Sequence, residues 1–230
     1  SSGYPPHALV VDYQGIYYDA RQRSDLEDLI RSGPFGADEE YRSQRCIERI
    51  RRYRLSKYNH APDIALEATE HAQRVLVVDQ TEDDCSITQG RADRARFQQM
   101  LNEELEAHPR AEILVKIHPE TVAGHKRGHL LEAAQHPRCR VIAEDRNPWA
   151  LFDAVDTVHV VTSQLGFEAL LAGKHVVCHG MPFFAGWGLT EDRLAEDRRG
   201  LDRSLQTVFA AAYLRYSRYA NPYTGQAATL

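Results

Sequence analysis

Residues 157–180 read TVHVVTSQLGFEALLAGKHVVCHG. A β-branched apolar run ends at two hydroxyl residues, Thr162 and Ser163. A helical stretch then closes at Gly173, and a second β-branched run follows almost at once. Two strands with no polar face, joined through one short helix, make a βαβ unit, and its strands must lie parallel. The same reading extends backwards. VLVVD (75–79), ILVKIH (113–118) and RVIAE (140–144) are further buried strands, and helices fall over roughly 91–107, 126–135, 148–154 and 164–172. The alternation predicts an α/β fold with a parallel, doubly wound sheet.

Outside this block the pattern changes. Residues 1–62 open with HALVVD and GIYYD, read as a short strand pair around a turn at Tyr13–Gly15. SDLEDLI follows as a helix capped by Ser24. The charge-dense stretch 38–58 places Tyr41, Cys46, Ile47, Ile50, Tyr53 and Leu55 loosely on one helical face, and Asn59 and Pro62 mark a boundary. After Gly200 the segment DRSLQTVFAAAYLRYSRY reads as one long amphipathic helix. The expected organisation is therefore an N-terminal section 1–62, an α/β domain 63–200, and a C-terminal helix and tail 201–230.

Composition bounds the function. The chain has 230 residues, 43% of them hydrophobic, enough for a sizeable core without a metal or disulfide staple. No run approaches the ~18–20 apolar residues of a membrane span, and the first residues lack the pattern of a signal peptide. A net charge of −5 argues against nucleic acid as the partner. Cys46, Cys85, Cys139 and Cys178 are far apart and unlike zinc ligands in spacing, which suits free thiols in the cytoplasm. Apart from Lys57, Lys116, Lys126 and Lys174, every basic residue is Arg, a bias that base composition of the genome also explains.

In an open α/β sheet, ligands bind beyond the carboxyl ends of the strands, and the polar residues concentrate there. Thr162 and Ser163 open a helix, where hydroxyls and free N–H groups bind an anion, although they also serve as ordinary caps. Glu168, a turn and a half on, suits a pair of ribose hydroxyls or simply solvent. His118 ends a strand that Pro119 terminates, which aims the imidazole into the crevice to donate to a phosphate oxygen; a backbone carbonyl is the plainer partner. The loop DQTEDDCSI (79–87) packs Asp79, Glu82, Asp83 and Asp84 together, with Ser86 as a cap. A carboxylate there can act as nucleophile or base at a sugar carbon, or merely cap the next helix. His125 and His129, spaced i, i+4 near His118, have no third ligand, so no metal is expected. His159, His175 and His179 lie on or beside strands and read as structural. MPFFAGWGLTED (181–192), with Trp187, reads as a pocket wall or a surface turn. There is no GxGxxG after the first sheet strand and no P-loop signature.

The segment 162–183 resembles the nucleotide-sugar half of a GT-B type glycosyltransferase or a related epimerase. More of the chain carries a narrower resemblance: ALVVDYQGIYYDARQRSDLEDLI, RLSKYN, VLVVDQTEDDCSI, ILVKIHPET, HVVTSQLGFEALLAGKHVVCHG and PFFAGWGLTED, which span most of residues 8–192. These segments resemble the bacterial capsule polysaccharide synthesis and export proteins of the KpsC/LipB type, which are β-Kdo glycosyltransferases. The resemblance implies a GT-B-like fold with a parallel, Rossmann-like donor-binding domain and a retaining transfer of Kdo from CMP-Kdo to a glycolipid acceptor at the inner membrane surface. Capsule assembly proteins would be partners. It implies that His118 and Pro119, with Thr162 and Ser163, grip CMP, and that Glu168 holds the ribose. Asp84 would be the nucleophile, with Asp79 as the second choice, while Gln80 and Ser86 shape the pocket. No cofactor or divalent metal is implied, because CMP leaves as a stable phosphate monoester. Members carry a further α/β segment ahead of the matched one, so a fragment or a reduced paralogue is expected, with its donor half complete. A UDP-sugar transferase, an epimerase, or a catalytically silent nucleotide-sugar-binding module are the alternatives.

Overall fold

The computed structural model describes residues 7–71 and 73–230, with Pro119 and Ala133 described by backbone alone. In chain order the elements are β1 (Ala8–Val10), α1 (Asp25–Ser32), α2 (Ala37–Tyr53), β2 (Arg74–Val78), α3 (Cys85–Gln89), α4 (Arg94–Ala107), β3 (Glu112–Lys116), α5 (Pro119–Val122), β4 (Cys139–Ile142), α6 (Pro148–Phe152), β5 (Thr157–Val160), α7 (Leu165–Leu171), β6 (His175–Cys178), β7 (Glu191–Asp192), α8 (Leu205–Phe209), β8 (Ser217–Ala220) and β9 (Ala227–Ala228). Six strands form one parallel sheet in the order β4-β3-β2-β5-β6-β7. The chain starts at β2 in the middle, winds outward through β3 and β4, and returns to the other side of β2 for β5, β6 and β7. That is the doubly wound order expected from the sequence. Its winding reverses between β2 and β5, so the crevice opens at the carboxyl ends of those two strands.

The apolar runs form strands because both faces of the sheet are covered. In β2, Leu76 and Val78 pack into a large cluster with Ile30, Ile47, Phe152, Phe167, Phe184 and Phe209. Val75 and Val77 pack on the opposite face against Phe97, Met100 and Leu101 of α4. The larger cluster draws residues from all three sections of the chain. Caps set the helix starts: Ser24 Oγ accepts from Glu27 N at 3.1 Å, and Asp93 Oδ1 accepts from Arg96 N at 3.1 Å. Gly173, at φ +79°, ends α7 in the left-handed region that glycine adopts without strain.

Four local expectations are corrected. HALVVD and GIYYD do not pair: β1 pairs antiparallel with β8, Ala8 opposite Tyr219, and residues 15–19 form no strand. Asp12 breaks the first run, its Oδ1 accepting from Gln14 N (3.0 Å), Gly15 N (2.9 Å) and Asp25 N (3.1 Å), and Tyr17 turns inward to stack edge-on with Phe183 and Tyr216. The C-terminal helix is not continuous to Tyr219. It passes from α8 into a π-helix over Ala210–Tyr216, and then β8 takes the strand place beside β1. No helix spans 126–135; only a 3-10 turn at Ala133–Gln135 forms, so His125 and His129 share no helix face. The backbone of 128–130 is drawn instead onto the Asp79 carboxylate. Residues 85–89, read as loop, form α3, and α4 starts only at Arg94.

Candidate active site

A cavity of about 330 Å³ opens at the carboxyl ends of β2, β3, β5 and β6. Its floor comes from the loops after those strands, and Tyr17, Tyr18, Lys57 and Tyr58 of the N-terminal section close one side. Asp79, Gln80, Asp84, Ser86, His118, Thr162, Ser163 and Glu168 all line it. The side chain of Pro119 lies outside the described part, and its backbone opens α5.

The two central loops are tied together by Gln80. Its Nε2 donates to Asp84 Oδ2 and to Thr162 Oγ1, each at 3.0 Å, and its Oε1 accepts from Thr162 N at 3.0 Å. Ser86 Oγ lies 3.0 Å from Thr162 Oγ1. Asp84, rather than Ser86, caps α3: its Oδ1 accepts from Ser86 N at 2.9 Å. The close fit leaves no room at Gly90, where a Cβ would stand 2.4 Å from the Thr162 methyl. Asp84 is thus held at both oxygens, with its orientation fixed before any ligand arrives. The neighbouring acids point outward, Glu82 to Arg94 at 3.2 Å and Asp83 to Lys126 at 3.5 Å.

Asp79 is held differently. It is 3% exposed; Oδ1 accepts from Gln80 N (2.9 Å) and His129 N (3.0 Å), and Oδ2 from Leu130 N (3.3 Å). Burial raises its pKa above the ordinary carboxylate value. A Cβ at Gly128 would fall 2.3 Å from Asp79 Oδ2, so this loop closes directly over the acid. Glu168 is also buried and raised in pKa by that burial; Oε2 accepts from Ser56 Oγ (2.6 Å) and Oε1 from Lys57 N (3.1 Å). It therefore fastens the segment 56–57 over the cavity. His118 Nδ1 accepts from Glu120 N at 3.2 Å, which puts the neutral ring's proton on Nε2. Burial lowers the His118 pKa, so the ring is a neutral donor near pH 7. Ser163 Oγ accepts from Leu165 N at 3.3 Å at the start of α7.

Sequence reasoning missed the basic lining. Lys57, Lys116 and Arg146 stand in the cavity wall, and Lys126 sits just outside, 3.4 Å from Glu120. Lys116 Nζ donates to Glu144 O at 3.1 Å, and burial lowers its pKa. The signal was present: in a chain whose basic residues are otherwise arginine, three of four lysines fall at this crevice. Trp187 is not a pocket wall. It is fully buried, with Nε1 donating to Phe183 O at 2.8 Å, and Phe183 and Phe184 line the cavity instead.

Fold and site together define a GT-B-like α/β protein with a polar crevice at its topological switch point. The chain belongs to the capsule polysaccharide biosynthesis protein family, which matches residues 33–219. It is 43% identical over 240 residues to the capsule polysaccharide modification protein LipA of Neisseria meningitidis serogroup B, covering all of this chain and 34% of LipA. It is 38% identical over 231 residues to the lipopolysaccharide-processing protein LpsZ of Rhizobium meliloti, covering 98% of this chain and 52% of LpsZ. The chain thus spans between a third and about half of these curated relatives. Among solved structures, it is similar to the KpsC beta Kdo 2,4 transferase of Thermosulfurimonas dismutans, with 43% identity, a TM-score of 0.93, and coverage of 98% of this chain and 71% of the other. The KpsC beta Kdo 2,7 transferase of the same organism gives 35% identity and a TM-score of 0.77, covering 97% of this chain and 69% of the other. Among the described residues no helix is long and apolar enough to cross a membrane.

Proposed function

We propose that this chain supplies the donor site of a retaining β-Kdo glycosyltransferase in capsule polysaccharide biosynthesis, taking Kdo from CMP-Kdo to a glycolipid at the cytoplasmic surface of the inner membrane. The observation that carries the reading is the convergence of Asp84, His118, Thr162 and Ser163 on one cavity, in a chain 43% identical to a KpsC beta Kdo transferase. In this reading the residues divide the work as follows. His118 Nε2–H and the hydroxyls of Thr162 and Ser163 meet the CMP phosphate, and Lys57 and Lys116 add positive charge for the phosphate and the sugar carboxylate. Asp84 bonds to the anomeric carbon while the bond from that carbon to the phosphate oxygen breaks, and CMP departs with the electron pair. An acceptor hydroxyl oxygen then bonds to that carbon while the Asp84 ester bond breaks, Asp84 leaving as the carboxylate with the electron pair and the hydroxyl proton passing to solvent, and the two inversions give retention. Asp79, whose oxygens are taken by three backbone N–H groups, braces the 128–130 loop in this reading. Glu168 holds Lys57 in place and has lone pairs left for the ribose.

Calorimetric titration with CMP, with UDP as control, tests the reading. CMP is expected to bind in preference to UDP, and the His118→Ala/Ser163→Ala variant to lose roughly 10- to 100-fold in affinity. Preference for UDP, or equal CMP affinity in the wild type and the variant, overturns it.

A further inference from the structure

The sheet face turned towards α4 buries a second polar cluster, away from the loops of the cavity. On α4, Glu104 continues the stripe of Phe97, Met100 and Leu101 that packs on the sheet. On β5, His159 stands opposite Val77, which belongs to the same apolar cluster, and His179 directly follows β6. The three residues are 2%, 2% and 0% exposed. Glu104 Oε2 lies 3.2 Å from His159 Nε2, and His159 Nδ1 lies 3.3 Å from His179 Nε2. One ligand atom from each of the three residues lies within 4.8 Å of the other two. Yet these close approaches are not all well-formed hydrogen bonds: Glu104 Oε2, His159 Nε2 and His179 Nδ1 make none among the described residues. A native core rarely leaves buried polar atoms without a well-formed hydrogen bond.

Two imidazoles and a carboxylate are the donor set of zinc and its neighbours in the first transition row. Ligands 2.0–2.2 Å from a shared tetrahedral ion stand roughly 3.3–3.5 Å apart, close to the separation of Glu104 and His159. Two partly exposed residues border the cluster. His108 Nε2 lies 3.4 Å from Glu104 Oε2, and Glu103 Oε2 lies 3.7 Å from His179 Nδ1; either residue can complete the coordination. We propose that Glu104, His159 and His179 bind one zinc-class divalent ion, which clips α4 to β5 and β6 and plays no part in the chemistry of the cavity.

The test strips the chain with a chelator and titrates it with zinc and with cobalt. Expected are about one ion per chain by elemental analysis, the intense visible bands of tetrahedral cobalt, and a Tm raised by roughly 5–10 °C at free zinc about 100-fold above Kd. His159→Gln and His179→Gln are expected to abolish uptake; if either fails to fold, the wild-type cobalt spectrum and Tm shift decide alone. No uptake with an unmoved Tm overturns the proposal and leaves a neutral acid–imidazole chain. Uptake that survives both substitutions also overturns it, by placing the ion elsewhere.

Discussion

Two buried polar sets lie on this sheet and differ in how they are satisfied. At the carboxyl ends of β2 and β5, Asp79, Gln80, Thr162 and Glu168 are each more than nine-tenths buried, and each is held by hydrogen bonds between 2.6 and 3.3 Å. On the α4 face, Glu104, His159 and His179 are as deeply buried and leave three atoms unpartnered among the described residues. A satisfied network fixes side chains and shapes a site before the ligand arrives; an unsatisfied one is costly until something binds. The first set therefore presents a preorganised crevice, and the second is the one proposed to take an ion.

The largest effect expected separates chemistry from architecture at the crevice, between Asp84 and Asp79. Asp84→Ala should lower Kdo transfer by at least ~10³-fold while CMP titration is unchanged. Losing its bond to Ser86 N should cost only about 1 kcal/mol, because it caps a single short helix. Transfer at near wild-type rate would remove Asp84 from the nucleophile role. Next in size is Asp79→Ala. It leaves the N–H groups of Gln80, His129 and Leu130 facing a void, for a loss of roughly 3 kcal/mol and a Tm lower by roughly 6–12 °C. A variant with normal Tm and no transfer would reverse the assignment of the two acids.

The same contrast explains what the sequence made legible. The parallel strands were readable because burial on both faces demands unbroken runs such as VLVVD and HVVCHG, and the crevice followed from where those runs end. The lost features depend on contacts far along the chain. Ser217–Ala220 continues a helical pattern, and only the pairing of Ala8 with Tyr219 makes it a strand. Residues 126–135 carry helix formers, but three backbone N–H groups, two of them from this loop, converge on Asp79, a demand that local propensity does not contain. Glu104 was visible in principle, as the acidic residue in the stripe of Phe97, Met100 and Leu101. A charge on the buried face of a helix calls for a partner, and its partners lie on β5 and just after β6.

The smallest expected effect concerns the seam where the N-terminal section meets these loops. There Asp19 is 6% exposed and Arg21 is 56% exposed; Arg21 Nε donates to Asp19 Oδ1 at 2.8 Å and Nη2 to Oδ2 at 2.9 Å. The next residue, Ala20, donates from N to Gln89 O at 2.9 Å, which binds this section to α3 behind Asp84. The guanidinium of Arg21 holds the Asp19 carboxyl below its ordinary pKa. A carboxyl with a lowered folded-state pKa stabilises the fold above its unfolded value, near pH 4, and that stability is lost as pH falls through the folded value. Asp19→Asn should therefore flatten the acid limb of the stability curve below about pH 4. At pH 7 it should cost no more than ~1 kcal/mol, because solvent screens the exposed Arg21. Coincident acid limbs in urea unfolding of the wild type and the variant would show that the seam rests on the packing of Tyr17 and Ala20, with the ion pair contributing nothing. A steeper loss than this would place Asp19 with the satisfied set at the cavity, as part of its frame.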